Sequence, residues 1–128
     1  MNLLLDTRLM LWAMQGRASL PKAALPWLER ADAVYVSAAS LWEAAIKAAL
    51  GKLDVDVASL EELLADAGFA QLPVRWTHAA QVALLPQGRH RDLFDRLLVA
   101  QAMSEPMHLL TCDALLRPYT DLVIVVAA

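Results

Sequence analysis

The chain has 128 residues, which fits one compact domain with a core of its own. Hydrophobic residues make up 59% of it, above the about 45–50% usual for soluble domains, and this excludes an intrinsically disordered chain. A net charge of −3 does not mark a nucleic-acid binder, while a single cysteine excludes an intramolecular disulfide framework and suits a reducing cytoplasm.

The segments alternate between strand and helix patterns. Leu3-Leu4-Leu5 is a short apolar run that ends at Asp6-Thr7, a strand followed by a helix start. Leu9, Leu11, Trp12 and Met14 predict a helix closed near Gly16. Pro21 suits the first turn of a second helix running to about Arg30. Ala33 to Val36 is a second buried strand. Ser37 or Ser40 can cap the next helix, which carries Leu41, Trp42, Ala45, Ile46 and Ala49 and stops at Gly51. Ser59 with Glu62 three residues on has the pattern of a capping box, and that helix ends near Gly68. Ala70 to Leu72 is a weak third strand cut off by Pro73. Thr77 starts a helix that Pro86-Gln87-Gly88 ends, and Asp92 caps another running through Met103. Met107 to Thr111 reads as a strand, Ala114 to Leu116 as a helical turn, and Leu122 to Val126 as the last strand.

Continuously apolar strands separated by helices predict a parallel sheet covered on both faces. The expected class is α/β, a three-layer α/β/α sandwich with a small, mainly parallel sheet. Ligands of such sheets bind beyond the carboxyl ends of the strands. No membrane span is expected. The longest charge-free stretch, Trp76 to Gly88, holds His78 and Pro86 and falls short of the ~20 apolar residues a span requires. Nor is a secretory signal expected, because Asp6 and Arg8 interrupt the N-terminal apolar run.

With only 20% charged residues, the position of each acid is informative. An acid within an apolar segment is costly unless something pairs with it. Asp6 follows the first strand and Asp113 the fourth, so both should approach the same rim. Each serves equally well as a helix cap. Glu43 lies beside the stripe of Trp42 and Ile46, either as a surface residue at its edge or as a site residue. Asp95, one turn from Asp92, is either a site acid or an early-helix acid favoured by the macrodipole and paired with an arginine. Carboxylates that do converge must bind protons or cations, since unit charges 4 Å apart repel by about 4 kcal/mol at an effective dielectric near 20. An all-oxygen set selects Mg²⁺ or Mn²⁺ over zinc. His78, His90 and His108 are scattered and are expected at the surface or at strand edges. No nucleophilic-serine, Walker or dinucleotide motif is present.

Four blocks tie these acids together: LLLDTRLMLW, SAASLWEAAIKAALGKL around Glu43, HRDLFDRLLVAQA around Asp95, and LLTCD at Asp113. Their order and spacing resemble the PIN-domain ribonucleases, specifically the VapC-type toxins of type II toxin–antitoxin pairs. The resemblance implies one PIN-like domain over residues 1–128. It implies that Asp6, Glu43, Asp95 and Asp113 hold Mg²⁺ or Mn²⁺, activating a water that cuts RNA in the cytoplasm. Thr7, Ser37 and Thr111 would stand near the site, though they suit caps and strand ends equally, and Asp92 would be a neighbour of the acids. A VapB-type antitoxin and a homodimer are implied as partners. Two positions depart from the family: Arg8 where histidine is frequent, and Leu93 where proline is frequent. Arg8 brings a permanent charge to the rim, suited to a phosphate or to a site acid.

Without the four acids the rest of the chain carries +1. Arg89, His90, Arg91 and Arg96 surround Asp95, and Lys47 and Lys52 follow Glu43. With Arg8, the arginines Arg89, Arg91 and Arg96 are expected to contact an RNA backbone; the alternative is an ordinary solvated face. The competing functional reading is a catalytically silent PIN-like module that binds protein partners. A phosphoacceptor receiver domain would need an acidic neighbour beside Asp6, which is absent.

Overall fold

Leu3, Leu4 and Leu5 are wholly buried, yet they serve two different cores. Leu3 and Leu5 pack with Leu9, Met10, Ala44, Leu60 and Leu64. Leu4 turns the other way, to Leu98, Val99, Leu109 and Leu116. A strand alternates its side chains, so a continuous leucine run requires cover on both faces. A computed structural model describes residues 1–86 and 92–128 and shows that cover. The strands are β1 (Asn2–Leu5), β2 (Ala33–Ser37), β3 (Ala70–Leu72), β4 (His108–Thr111) and β5 (Val123–Val125). They form one sheet in the order β3-β2-β1-β4-β5, with every pair parallel.

The helices are α1 (Thr7–Gln15), α2 (Leu25–Arg30), α3 (Ala38–Ala49), α4 (Val57–Asp66), α5 (Trp76–Val82) and α6 (Leu93–Ser104). Buried residues of α1, α3 and α4 share the Leu3 core, and those of α6 share the Leu4 core. The architecture is the expected α/β/α sandwich. The chain leaves β1 toward β2 and β3, then returns to place β4 on the other side of β1. The carboxyl ends of β1 and β4 therefore flank a topological switch point, where open sheets of this kind hold ligands.

Several boundaries differ from the sequence expectation, each for a local reason. A 3₁₀ turn at Lys22–Ala24 intervenes after Pro21, and Pro26 rather than Pro21 lies in the first turn of α2. Of the two candidate caps of α3, Ser37 does the work, accepting the Ala39 N–H at 3.0 Å. Ser59 does not cap α4. Asp56 does, accepting the Ala58 N–H at 3.2 Å and the Ser59 hydroxyl at 2.7 Å. Truncating Asp56 to alanine is expected to cost about 1 kcal/mol in urea unfolding, while Glu62→Ala costs little. α5 starts at Trp76 rather than Thr77, because the His78 ring accepts the Arg75 N–H at 3.0 Å and closes the first turn. His78 is wholly buried, against the expectation of a surface position.

The orientation of α3 is the largest departure. Its buried face is Ala39, Ser40, Glu43 and Ala44. Its apolar stripe faces outward, with Trp42 63% and Leu50 64% exposed. Small side chains let this helix approach its neighbours closely, and Ser40 accepts a buried hydrogen bond from Thr7 on α1 at 3.0 Å. The consequence is a helix that turns a carboxylate inward.

Candidate active site

Asp6 is the first residue after β1. Its backbone N–H bonds to Leu110 O, extending the β1–β4 ladder by one step. Its Oδ1 accepts the Leu9 N–H at 2.8 Å and caps α1. Its Oδ2 accepts the Thr111 hydroxyl at 2.7 Å. The same Thr111 oxygen accepts the Asp113 N–H at 3.0 Å, so one threonine at the end of β4 ties both acids together. Asp113 in turn accepts the Leu115 N–H at 2.9 Å and caps the 3₁₀ turn Ala114–Tyr119. Asp92 caps α6 through the Phe94 and Asp95 N–H groups. Three acids are therefore caps and also border a cleft. The two readings of Asp6 and Asp113 are not alternatives, because a carboxylate that caps a helical turn through one oxygen can border a cleft at the same time.

That cleft has a volume of about 540 Å³ and brings together Asp6, Glu43, Asp92, Asp95 and Asp113. Arg8, Lys47 and Lys52 line it as well. Thr7 also borders it, whereas Ser37 is buried at its capping position and does not. A second cleft, of about 420 Å³, is walled by Val36, Leu41, Leu64 and Phe69 and has Glu61 as its one carboxylate, so it offers no comparable chemistry.

Burial, the dominant cause, raises the Asp6 pKa above its ordinary 3.8. The hydrogen bonds from Leu9 and Thr111 and the charge of Arg8 work against this, and the Glu43 carboxylate adds to it. The Arg8 guanidinium lies over the Trp12 ring at 5.6 Å, which fixes a cation at the rim. Glu43 is 7% exposed. Its Oε2 takes the Lys47 ammonium at 2.8 Å, while its Oε1 is buried with no hydrogen-bond partner among the described residues. A buried carboxylate oxygen without a donor is costly, and a cation would relieve that cost. The donor set is all oxygen, which fits Mg²⁺ or Mn²⁺ in kind. Among the described residues no three His, Cys, Asp or Glu side chains already stand close enough to enclose an ion.

Arg96 does not join the cleft. It donates to Pro86 O at 3.2 Å and to the Tyr119 hydroxyl at 3.0 Å, with its guanidinium over that ring. Successive residues on a helix diverge by about 100°, so the turn that aims Asp95 at the cleft aims Arg96 elsewhere. Arg89, His90 and Arg91 lie outside the described residues. Trp12, Gln15 and Cys112 line the cleft without having been singled out in the sequence. Burial, then the Asp6 charge, push the Cys112 thiol above its ordinary 9.0, which disfavours the thiolate. Its only sequence signal was adjacency to Asp113.

The PIN-domain family model matches residues 3–120. This chain belongs to the PIN-domain family. Solved structures share the fold of this chain. VapBC2 from Rickettsia felis, bound to a DNA fragment from its promoter, is 15% identical, with a TM-score of 0.70 over 99% of this chain and 98% of that one. FitAcB from Neisseria gonorrhoeae is 22% identical, with a TM-score of 0.68 over 97% and 96%. A toxin–antitoxin complex from Klebsiella pneumoniae is 18% identical, with a TM-score of 0.67 over 95% of each chain. No curated protein matches the chain. The family expectation from the four sequence blocks is thus borne out. No helix among the described residues is long and apolar enough to cross a membrane.

Proposed function

We propose that this PIN domain, acting as one unit over residues 1–128, is a VapC-type toxin: a cytoplasmic endoribonuclease dependent on Mg²⁺ or Mn²⁺. One observation carries the reading: Asp6, Glu43, Asp95 and Asp113 line a single cleft at the switch point of a PIN sheet. These four residues would hold the ion. When bound, a divalent ion polarises the phosphate and lowers the pKa of a water that attacks it. The chain's own residues do the rest. Thr111 fixes Asp6 and Asp113 relative to each other, and the caps on Leu9 and Leu115 lock their rotamers. Arg8, held over Trp12, offers a guanidinium to a phosphate at the cleft's edge.

The structural relatives that are toxin–antitoxin complexes support a VapB-type antitoxin as partner. Trp42, Ile46 and Leu50 on α3, with Leu93 beside the Trp42–Phe94 ring contact, are exposed and support self-association as a homodimer. RNA cleavage with Mg²⁺ or Mn²⁺ is the deciding measurement. It is expected to stop with EDTA and to fall by about 100-fold or more in Asp95→Asn. Cleavage that survives both treatments sinks the mechanism. A protein that binds an antitoxin but never cleaves RNA would be the silent binding module instead.

A further inference from the structure

Lys47 stands four residues after Glu43 on α3, and its ammonium rests 2.8 Å from Glu43 Oε2. A Glu–Lys pair at this spacing is a common device on solvated helix faces. This one differs in three respects. The Glu43 side chain is 10% exposed, against 47% for Lys47, so a flexible surface cation reaches inward to a fixed buried anion. The other oxygen of the same carboxylate, Oε1, is buried without a donor among the described residues. Both residues line the cleft that gathers the other acids.

We propose that Lys47 is a displaceable counter-ion of Glu43 that competes with a divalent cation for the cleft. The inference rests on the reading of this cleft as a metal site. A divalent ion held by Glu43 would be bound through its carboxylate oxygens. The ammonium would then share that carboxylate with a second, doubly charged cation, and the two repel. Lys47 is the partner free to move, because its flexible four-carbon stem ends half in solvent, whereas Glu43 is packed. Loading the cleft thus swings Lys47 off Glu43, and its charge becomes available to the cleft mouth. Lys47 is a positioning residue that sets how much ion the site demands.

The test is Mn²⁺ binding to the full chain, by calorimetry and without RNA, so that cleavage plays no part in the readout. Lys47→Met keeps most of the stem and removes the charge, and should bind Mn²⁺ about three- to tenfold more tightly. Lys52→Met removes a second cation of the same cleft that has no such contact with Glu43, and should change affinity by about twofold or less. Thermal melting gives a second reading. In EDTA the Lys47→Met protein should melt below wild type, since Glu43 is left uncompensated, and Mn²⁺ should raise its melting point more than it does that of wild type. If wild type binds Mn²⁺ and Lys47→Met binds it no more tightly, the competition is overturned while the metal reading stands. Equal gains from both lysine variants would point to a general field and overturn it as well. Mn²⁺ binding by none of the three proteins would overturn the competition and the metal reading together.

Discussion

Replacing Asp6 by asparagine is expected to reduce RNA cleavage by about 100-fold or more while leaving the protein at least as stable as wild type. The stability half follows from the sign of the Asp6 shift. Burial raises its pKa in the fold above the ordinary 3.8, so the fold disfavours the charged form. That cost is absent below the ordinary 3.8, grows as pH rises above it, and is complete once pH passes the raised folded value. Asparagine removes the charge and keeps the acceptor that caps α1 through the Leu9 N–H; Asn and Asp rank alike as caps. Its amide can also donate to the Thr111 oxygen where Asp6 accepted from it. Melting in EDTA should therefore show the variant equal to or above wild type at pH 7. The difference should narrow as pH falls through the raised folded value toward 3.8, as wild-type Asp6 takes up its proton. A variant that loses activity together with about 1 kcal/mol or more of stability at pH 7 would make Asp6 a structural cap and nothing else.

The same residue shows why the site was largely legible in the sequence. Asp6 and Asp113 directly follow strands β1 and β4, and in a parallel sheet strand ends share a rim. Leu3 to Leu5 and Leu109-Leu110 announced those strands by being apolar throughout, which only a doubly covered sheet permits. Glycine marked the ends of α3 and α4 because both chain exits need positive φ, 73° at Gly51 and 87° at Gly68.

Much of what the sequence hid has one physical source. Periodicity tells which residues share a helix face, not which face turns inward. On α3 the larger apolar face, with Trp42, points outward, and the inner face is alanine, serine and a carboxylate. On α5, Trp76 is 95% exposed while His78 is 0% exposed. The usual preference for burying the apolar side gives way on α3, where Glu43 is turned into the cleft, and on α5, where the His78 ring is hydrogen-bonded to Arg75 and Glu105. Arg96 stands apart for a related reason: it neighbours Asp95 in sequence, but helical rotation turns it to Pro86 and Tyr119 rather than to the cleft. Hydrogen-bond competition also outweighed local pattern at α4, where Asp56 caps the helix ahead of the Ser59–Glu62 pair.

The second large effect is expected at His78, and it bears on stability alone. The Arg75 N–H donates to Nδ1, which leaves the ring proton on Nε2, facing Glu105 Oε2 at 2.5 Å. Gln101 places its Nε2 3.3 Å from the same Nδ1 and donates to Pro73 O at 3.3 Å. One imidazole thus joins the strand exit after β3, the first turn of α5 and the second half of α6. Truncation to alanine leaves a buried cavity, strands the Arg75 N–H and frees a half-buried carboxylate. Large-to-small core changes and orphaned buried donors together put the loss at about 3–4 kcal/mol in urea unfolding. Glu105→Ala removes only the more exposed end of the pair and should cost about 1 kcal/mol. The double variant should be less destabilised than the two losses combined, since both remove the same contact. Gln101 lies about 9 Å along α6 from Asp95, and no member of the network borders the acidic cleft. Cleavage per folded molecule, measured well below the lowered melting point, should therefore equal that of wild type. A proportionate loss of both would mean instead that α5 and the end of α6 transmit their packing to Asp95.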